Sequence, residues 1–439
     1  MGSGIAGLSA AWLLKNRYEV TLYEQNAYVG GHTHTIEVLE GRNRIPIDTG
    51  FIVYNEPNYP LLTKLLKYLD IETQNTDMSF AVSINSGSLE YAGDNLKKLF
   101  AQRQNLFDLQ FLSMIKEILR FNNQCQKFIH HDDHSITLGE FLDLYGYNQQ
   151  FRYDYLLPMA AAIWSCPTST MLTFPFSSFA QFFRNHGLVE LKNRPQWKTL
   201  VGGSWQYVKV MAGSLGNHIK TNQPVASVRR TANGVEIVTK AGHREAYDAL
   251  IIASHADEAA SLLEQPNPLE AELLSKFRYQ DNTVYLHTDT ELMPKLRNVW
   301  SSWNYIADDQ HKMEERSVSV SYWMNRLQRL EAEKDYFVSL NPRQLPCEDQ
   351  LIEKMVYQHP VFDRGAIRAQ QKLNELQGKE RIWYCGSYFG YGFHEDALSS
   401  SIQVAESLGV RVPWSKQSQA ITMQPDMNHL ASLARSAGV

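Results

Sequence analysis

The chain has 439 residues, of which 44% are hydrophobic and 20% charged, a composition typical of a globular protein with two or three domains. This composition excludes a disordered, collagen-like or coiled-coil filament protein. With 42 Lys and Arg against 47 Asp and Glu, the net charge is −5, which gives no reason to expect nucleic acid as a partner. Four widely separated cysteines disfavour a metal site or a disulfide framework, and no apolar run reaches the ~18 residues of a membrane span.

The chain begins with a glycine-rich motif. Three glycines with the spacing G-x-G-x-x-G precede an apolar segment that predicts a helix; they are Gly2, Gly4 and Gly7. In a dinucleotide-binding βαβ unit, these glycines permit a tight turn, close approach of the backbone to a pyrophosphate, and close packing of the helix on its strand. Residues 18–24 alternate like a strand that ends at Glu24, an acid suited to accept hydrogen bonds from a ribose. The sequence therefore predicts a dinucleotide site.

Too few residues precede this motif to form the strand that is expected there. Such a strand has about five or six residues, whereas only Met1 precedes Gly2. Because the loss of a central strand would leave a groove through the core, we expect the natural chain to start upstream of Met1. The alternative is that another segment fills this position.

Two further segments combine glycine with apolar residues. Gly30 and Gly31 let the backbone lie against a flat ligand, and Gly50 precedes Phe51 in a stretch that suits the wall of a ring pocket. Near the far end, a predicted strand reaches Gly386 and is followed by a predicted helix. The N-terminus of that helix could face an electron-rich edge of a ligand.

Together these segments resemble the superfamily of FAD-binding amine oxidases, protoporphyrinogen oxidases and phytoene desaturases. Within it, the chain is most similar to bacterial predicted NAD/FAD-binding oxidoreductases that are often encoded beside cyclopropane-fatty-acid synthase-like genes. The resemblance implies an α/β fold, in which a Rossmann-like FAD-binding domain of the glutathione-reductase/amine-oxidase type carries an inserted α+β substrate domain. That substrate domain contains a mixed sheet and a helical segment. The resemblance also implies non-covalent FAD as the cofactor.

The resemblance assigns cofactor contacts to each glycine-rich segment. The first motif holds the pyrophosphate, Glu24 the ribose, and Gly386 with Ser387 the ribityl-phosphate end, while His32 stands where many relatives carry an arginine. The residues that we expect to bind the cofactor are Gly2, Gly4, Ile5, Ala6, Gly7, Glu24, Gly30, Gly31, His32, Gly50, Phe51, Val225, Ala253, Gly386, Ser387, Phe393 and Ala397.

The order of the predicted strands indicates a discontinuous organisation. Alternating apolar patterns predict strands or hairpins at residues 79–91, 224–228, 234–238, 247–254, 283–288 and 317–323. We expect an FAD-binding domain made of residues 1–70, 200–265 and 360–412. The substrate domain then comprises residues 71–199, helical from about 96, and 266–359, and a flexible tail comprises residues 413–439.

Residues 96–130 have the periodicity of an amphipathic helix. Its apolar stripe is formed by Phe107, Phe111, Met114, Ile118, Phe121, Cys125 and Phe128. The same window holds six basic and two acidic residues, and a basic amphipathic helix can lie on an anionic membrane. The alternative is a helix packed on the substrate domain with a solvated basic face. We expect a cytoplasmic protein, with peripheral contact at the inner face of the membrane as an open alternative.

The titratable candidates for catalysis are His394 and Glu395, which follow the last glycine-rich loop. Histidine can donate or accept a proton near neutral pH, but a structural role is the alternative for each histidine. Weaker candidates are His34, His255 and His287. We interpret Cys385 as a core residue and not as a covalent flavin tether.

These observations favour an FAD-dependent oxidoreductase that takes a hydride from a lipophilic substrate, such as a fatty-acyl or other lipid chain. The apolar residues 156–183 could line a tunnel for that chain, although core packing explains them equally well. Amine oxidases of the superfamily typically place a lysine beside the flavin, and residues 281–287 contain none. The alternatives are an amine oxidase, a non-redox flavin isomerase similar to UDP-galactopyranose mutase or carotene isomerases, and a chain that no longer binds flavin. The electron acceptor would be oxygen, a quinone or a carrier protein.

Overall fold

The computed structural model describes residues 1–128, 136–190, 194–308 and 318–415. Within this part of the chain, short and medium helices alternate with strands. The helices are α1 (Ile5–Leu14), α2 (Pro60–Tyr68), α3 (Leu96–Leu99), α4 (Leu109–Phe128), α5 (Leu138–Leu144), α6 (Gln149–Phe151), α7 (Leu157–Trp164), α8 (Thr168–Leu172), α9 (Phe176–Asn185), α10 (Trp205–Leu215), α11 (Ala256–Leu262), α12 (Pro268–Leu274), α13 (Met324–Leu327), α14 (Arg364–Gln370) and α15 (His394–Ser407).

The strands are shorter in the first third of the chain than in the middle. They are β1 (Leu22–Tyr23), β2 (Thr35–Glu40), β3 (Asn43–Asp48), β4 (Tyr54–Asn55), β5 (Thr73–Thr76), β6 (Phe80–Ile84), β7 (Leu89–Ala92), β8 (Trp197–Leu200), β9 (Ile219–Lys220), β10 (Val225–Thr231), β11 (Gly234–Thr239), β12 (Arg244–Tyr247), β13 (Leu250–Ile252), β14 (Arg278–His287), β15 (Trp303–Ala307), β16 (Val320–Trp323), β17 (Phe337–Leu340), β18 (Leu351–Val361) and β19 (Ile382–Tyr384).

Short parallel ladders form the nucleotide side of the molecule. Strand β1 pairs with β9, and β13 pairs with β19. The first two residues lie between these ladders, since the Met1 amino group donates to the Ile251 carbonyl at 2.8 Å and Gly2 N–H donates to the Tyr23 carbonyl at 2.8 Å. The Ala253 N–H returns a bond to the Met1 carbonyl at 2.8 Å, which completes the parallel pattern. That the natural chain starts upstream of Met1 stays a prediction.

A seven-stranded mixed sheet forms the opposite side, as predicted. Its strand order is β18-β14-β17-β16-β15-β6-β7, in which the β15–β6 pair is parallel and the others are antiparallel. The predicted hairpin is present as β6 and β7. Its turn uses positive φ at Asn85, Ser86 and Gly87, and of these Gly87 and Asn85 adopt this conformation at low cost.

The predicted amphipathic stripe packs into the core. On α4 the side chains of Phe111, Met114, Phe121 and Cys125 are buried, and Ile118 is partly buried. The prediction for Phe107 was wrong, because the helix begins two residues later and leaves this ring exposed. The end of the predicted segment, from the Phe128 side chain onwards, lies outside the described residues.

Several other local predictions hold, while the domain boundaries stay a prediction. The helix after the first glycines is α1, and the predicted strands at 224–228 and 234–238 are the antiparallel pair β10 and β11. The strand predicted over 18–24 is limited to β1. Of the predicted tail, residues 416–439 lie outside the described part of the chain. Within the described ranges, no helix has the length and apolar character needed to cross a membrane.

Candidate functional site

A cavity of about 940 Å³ extends from the glycine-rich turn at the start of the chain to the seven-stranded sheet. Its wall contains every residue predicted to bind the cofactor except Gly7. His394 also lines the cavity, and Glu395 does not. Since these residues come from both ends and the middle of the chain, the fold assembles in one place what the sequence spreads over almost 400 positions.

The first glycine motif has a different steric role at each glycine. A Cβ on Gly2, which has φ of +87°, would lie 2.7 Å from the Ala253 carbonyl oxygen, and a Cβ on Gly7 would collide with the Gly2 carbonyl oxygen. Gly7 therefore lets α1 pack against the turn. Gly4 is the N-cap of α1, and a Cβ there would meet no atom within 4 Å. The open side of Gly4 and the free N–H groups of the helix N-terminus suit a phosphate group.

The Glu24 carboxylate is fixed beside this turn. It is buried and accepts hydrogen bonds from Ser3 N at 2.9 Å, Ser3 Oγ at 2.6 Å and Asn26 N at 2.8 Å. Glu24 also lines the cavity, and a carboxylate has about four acceptor positions. The remaining capacity is compatible with ribose hydroxyls, and that contact stays a prediction.

Backbone alone forms much of the next section of wall. A Cβ on Gly31 would lie 3.0 Å from the Gly4 Cα, and a Cβ on Gly50 would collide with the His32 carbonyl oxygen. At Gly386 a Cβ would lie 2.6 Å from the ring of Tyr388. A larger residue at Gly31 or Gly50 would shift the backbone that forms the wall, and one at Gly386 would displace the Tyr388 ring.

His394 is held rigidly at the N-terminus of α15. Its Nε2 lies 2.9 Å from Thr33 Oγ1 and 3.3 Å from the Tyr207 hydroxyl, and its ring stacks on Phe51 with centroids 3.7 Å apart. Burial lowers the pKa of His394 to about 3. The imidazole is therefore neutral near pH 7, where it offers a hydrogen-bonding group and no positive charge.

Glu395 has a structural role, which corrects its prediction as a catalytic candidate. Its carboxylate accepts hydrogen bonds from Leu61 N at 2.7 Å and Leu62 N at 3.0 Å. These are among the first N–H groups of α2, which have no partner inside the helix. The side chain thus ties α15 to α2 and faces away from the cavity.

Three histidines from distant segments meet in the cavity wall. The His32 ring lies 5.3 Å from His359 and 6.4 Å from His255, measured between centroids. Burial and the neighbouring histidines hold the pKa of His32 well below its usual range, and burial lowers the pKa of His359 to about 4. His32 is thus a neutral group where many relatives carry an arginine. No local sequence signal marks His359, because it lies within a regular strand far from the glycine motifs.

The remaining candidate residues lie outside the cavity wall. His34 Nδ1 lies 2.9 Å from the Tyr357 hydroxyl, and His287 is buried inside the sheet with Nε2 2.8 Å from Ser339 Oγ. Neither is placed for catalysis, which corrects those weaker predictions. Cys385 is a free, fully buried thiol whose pKa is raised to about 12 by burial, as expected of a core residue.

The far half of the cavity is lined by rings and aliphatic side chains. Trp303 from β15 and Tyr322 from β16 meet edge to face at 4.9 Å. On the helical side, Phe182 lies 4.5 Å from Trp164 and 5.0 Å from Phe393. Further apolar lining comes from Met78, Phe80, Met159, Ile163, Leu188, Val284, Val338 and Leu340. Only part of the predicted apolar segment 156–183 therefore faces the cavity.

The comparison with known proteins agrees with this geometry. Residues 5–408 match the family described as flavin containing amine oxidoreductase. The chain belongs to this family. The resemblance predicted from the glycine motifs is thereby confirmed, as are the fold class and FAD as the cofactor.

Relatives within and around the family differ in what they act on. Polyamine oxidase 4 of Oryza sativa subsp. japonica is 25% identical over 260 residues, which cover 57% of this chain and 50% of the rice protein. Two solved structures share the fold, and each aligns with 93% of this chain and 97% of its own. A putrescine oxidase bound to putrescine has a TM-score of 0.64 at 15% identity, and a CLA-producing fatty acid isomerase from P. acnes has a TM-score of 0.65 at 14% identity.

The wall residues fit FAD in this family. Glycines leave room for a flat, extended ligand, and two buried ring nitrogens of the histidine group, His32 Nε2 and His255 Nδ1, have no hydrogen-bond partner among the described residues. Among the described residues of the wall, Lys240 is the only lysine. It follows β11 near Val225 on the nucleotide side, away from the aromatic half of the cavity.

Proposed function

We propose that this protein is an FAD-dependent oxidoreductase that accepts a hydride from a lipophilic substrate, such as a fatty-acyl or other lipid chain. The observation that carries the proposal is the apolar and aromatic lining of the cavity half that faces the seven-stranded sheet. Burying a methylene group in such a lining stabilises binding by ~0.8 kcal/mol, so an extended acyl chain would gain affinity along its whole length.

The chain's own residues would position the substrate and exclude water. Bound FAD supplies the hydride acceptor, as flavins do. The stacked Phe51 and His394 rings and the hydrogen bonds of His394 with Thr33 and Tyr207 fix one side of the cavity. The N-terminus of α15 carries partial positive charge toward the same side. Oxygen, a quinone or a carrier protein would then reoxidise the flavin.

Amine oxidation is the second candidate. The rice relative is a polyamine oxidase, and aromatic rings such as Trp303 and Tyr322 can attract a cation. Against it, a carboxylate would strengthen the binding of an ammonium group, and the acidic residues among the described wall residues are Glu24, Glu258 and Asp281. Glu24 and Glu258 lie on the nucleotide side, and Asp281 is exposed.

Anaerobic titration of the FAD-loaded protein distinguishes lipid oxidation from amine oxidation. We expect the visible flavin absorption to be lost when a fatty acid or acyl ester is added. It should persist when putrescine or a primary alkylamine is added. Bleaching by amines alone would assign the protein to amine oxidation. If a lipid is isomerised only after the flavin has been reduced beforehand, with no net electron transfer, the proposal of an oxidation is wrong.

A further inference from the structure

An apolar patch projects from the helical side of the molecule. It comprises Leu96, Leu106, Phe107, Leu109, and Leu112, and we refer to it as the leucine patch. Phe107 is 86% exposed, Leu109 81% and Leu96 73%. On α4, Leu109 and Leu112 are three positions apart and share one face. Single exposed apolar residues are common, but a contiguous group of them marks an interaction surface.

Local packing explains why this patch faces solvent. Asp108 accepts hydrogen bonds from Gln110 N at 2.8 Å and Phe111 N at 3.3 Å, which fixes the start of α4 just before Leu109. Phe111 turns inward, where its ring contacts Tyr91 at 5.5 Å and Phe100 at 5.8 Å. Because Phe111 occupies the inward direction, Leu109 on the opposite side of the turn faces away from the described core.

Basic residues without ion pairs lie close to the leucine patch along the chain. Lys97, Arg103 and Lys116 are exposed, and none of them forms an ion pair within the described ranges of the chain. Two of the three nearby acids, Asp94 and Glu117, form ion pairs. Asp94 pairs with Lys98 at 2.8 Å and with Arg326 at 3.1 Å.

The second paired acid is Glu117. Glu117 lies 2.7 Å from Arg120 on the same helix. Asp108 accepts hydrogen bonds from backbone N–H groups and forms no ion pair among the described residues. Three unpaired cations against this one acid leave the charge near the patch positive, although the whole chain has a net charge of −5. This local sign is opposite to that of the molecule, so it selects an anionic partner.

We propose that the leucine patch docks onto the surface of an anionic lipid bilayer. The leucine and phenylalanine side chains would enter the boundary between headgroups and acyl chains, while Lys97, Arg103 and Lys116 would lie at the level of the anionic headgroups. A second copy of this chain is a poorer partner, because a two-fold interface would bring the same positive surface against itself. The docking proposal does not depend on the nature of the substrate.

Co-sedimentation of the FAD-loaded protein with vesicles tests this proposal. We expect binding to vesicles of phosphatidylcholine with phosphatidylserine, and weaker binding to phosphatidylcholine alone. The double variant Phe107→Ser with Leu109→Ser should lose about tenfold or more in partition, since both side chains bury apolar area in the bilayer. Each of Lys97→Gln and Arg103→Gln should lose on the order of fivefold on the anionic vesicles only.

Matched controls keep the test interpretable. Leu345→Ser changes an equally exposed leucine elsewhere and should bind vesicles like the wild type. The flavin spectrum and unfolding temperature of the double variant should match the wild type, because the altered side chains are exposed. Equal binding of the wild type and the double variant would overturn the proposal. So would concentration-dependent dimerisation that the double variant abolishes, since this would assign the patch to a second copy of the chain.

Discussion

The two halves of the cavity differ in the groups that line them. On the nucleotide side, glycine positions bring backbone into the wall, and polar side chains such as Glu24 are held by hydrogen bonds. On the side of the seven-stranded sheet, side chains such as Trp303, Tyr322 and Phe182 form the wall. A wall of backbone suits a constant ligand such as FAD. A wall of side chains changes with each substitution, so we expect this half to differ between family members with different substrates.

Replacing single glycines should have the largest effects, and these effects should concern the nucleotide half of the cavity. Gly7→Ala places a methyl group against the Gly2 carbonyl oxygen, and because that contact is backbone on both sides, we expect a loss of ~3 kcal/mol or more in the free energy of unfolding. Gly4→Ala meets no protein atom, so it should fold normally and lose FAD affinity. Flavin content after purification and urea unfolding measure the two effects.

The control for these glycines is Gly213→Ala on α10. A Cβ there also meets nothing within 4 Å, and the position is exposed and away from the cavity. Replacing glycine by alanine in a helix should stabilise it by ~0.5–1 kcal/mol. If Gly4→Ala binds FAD as tightly as Gly213→Ala, the assignment of the open side of Gly4 to the cofactor is wrong.

Removing the Trp303 ring should affect the sheet half of the cavity without affecting cofactor binding. Trp303→Ala deletes a large part of the apolar wall, so KM for a lipophilic substrate should rise by about tenfold. Flavin content should stay unchanged, because Trp303 lies on the sheet side. Steady-state kinetics and the visible spectrum test this together. A loss of flavin with no change in KM would show that the two halves are not separable.

The adjacent residues His394 and Glu395 at the start of α15 should affect different properties when replaced. His394→Asn removes the ring that stacks on Phe51 and should shift the visible flavin spectrum. Glu395→Gln retains one acceptor oxygen for the N–H groups of Leu61 and Leu62, and should cost ~1 kcal/mol of stability with the spectrum unchanged. An altered spectrum in Glu395→Gln would restore Glu395 as a candidate at the cofactor.

A further expected effect is a pH dependence of stability that arises outside the cavity. Burial lowers the pKa of His287 in the folded protein to about 4, below its ordinary value of 6.5. Between these values the unfolded chain binds a proton that the folded chain does not, so stability is lost as pH falls from 6.5 to 4. In His287→Gln the urea midpoint should fall less steeply over that range. His218→Gln, which removes an exposed histidine, should keep the wild-type slope.

Much of the fold and the cofactor half of the site could be predicted because their signals are local. Gly2, Gly4 and Gly7 are required by contacts within a turn and its helix, and the alternation in β10 and β11 reflects one face turned to the core. The apolar stripe of α4 was predicted from its spacing alone. Even so, spacing could not show that Phe107 precedes the helix, since the Asp108 cap sets the start.

Only the tertiary structure decided the rest. The sequence determined that this chain carries a dinucleotide turn, a second glycine junction and a basic apolar segment, because each is defined by neighbours within a few residues. It could not determine that His32, His255 and His359 meet, that Glu395 turns to α2, or which side chains line the sheet half of the cavity. Those contacts join residues hundreds of positions apart. Their formation depends on how whole strands and helices pack, and no local pattern records that.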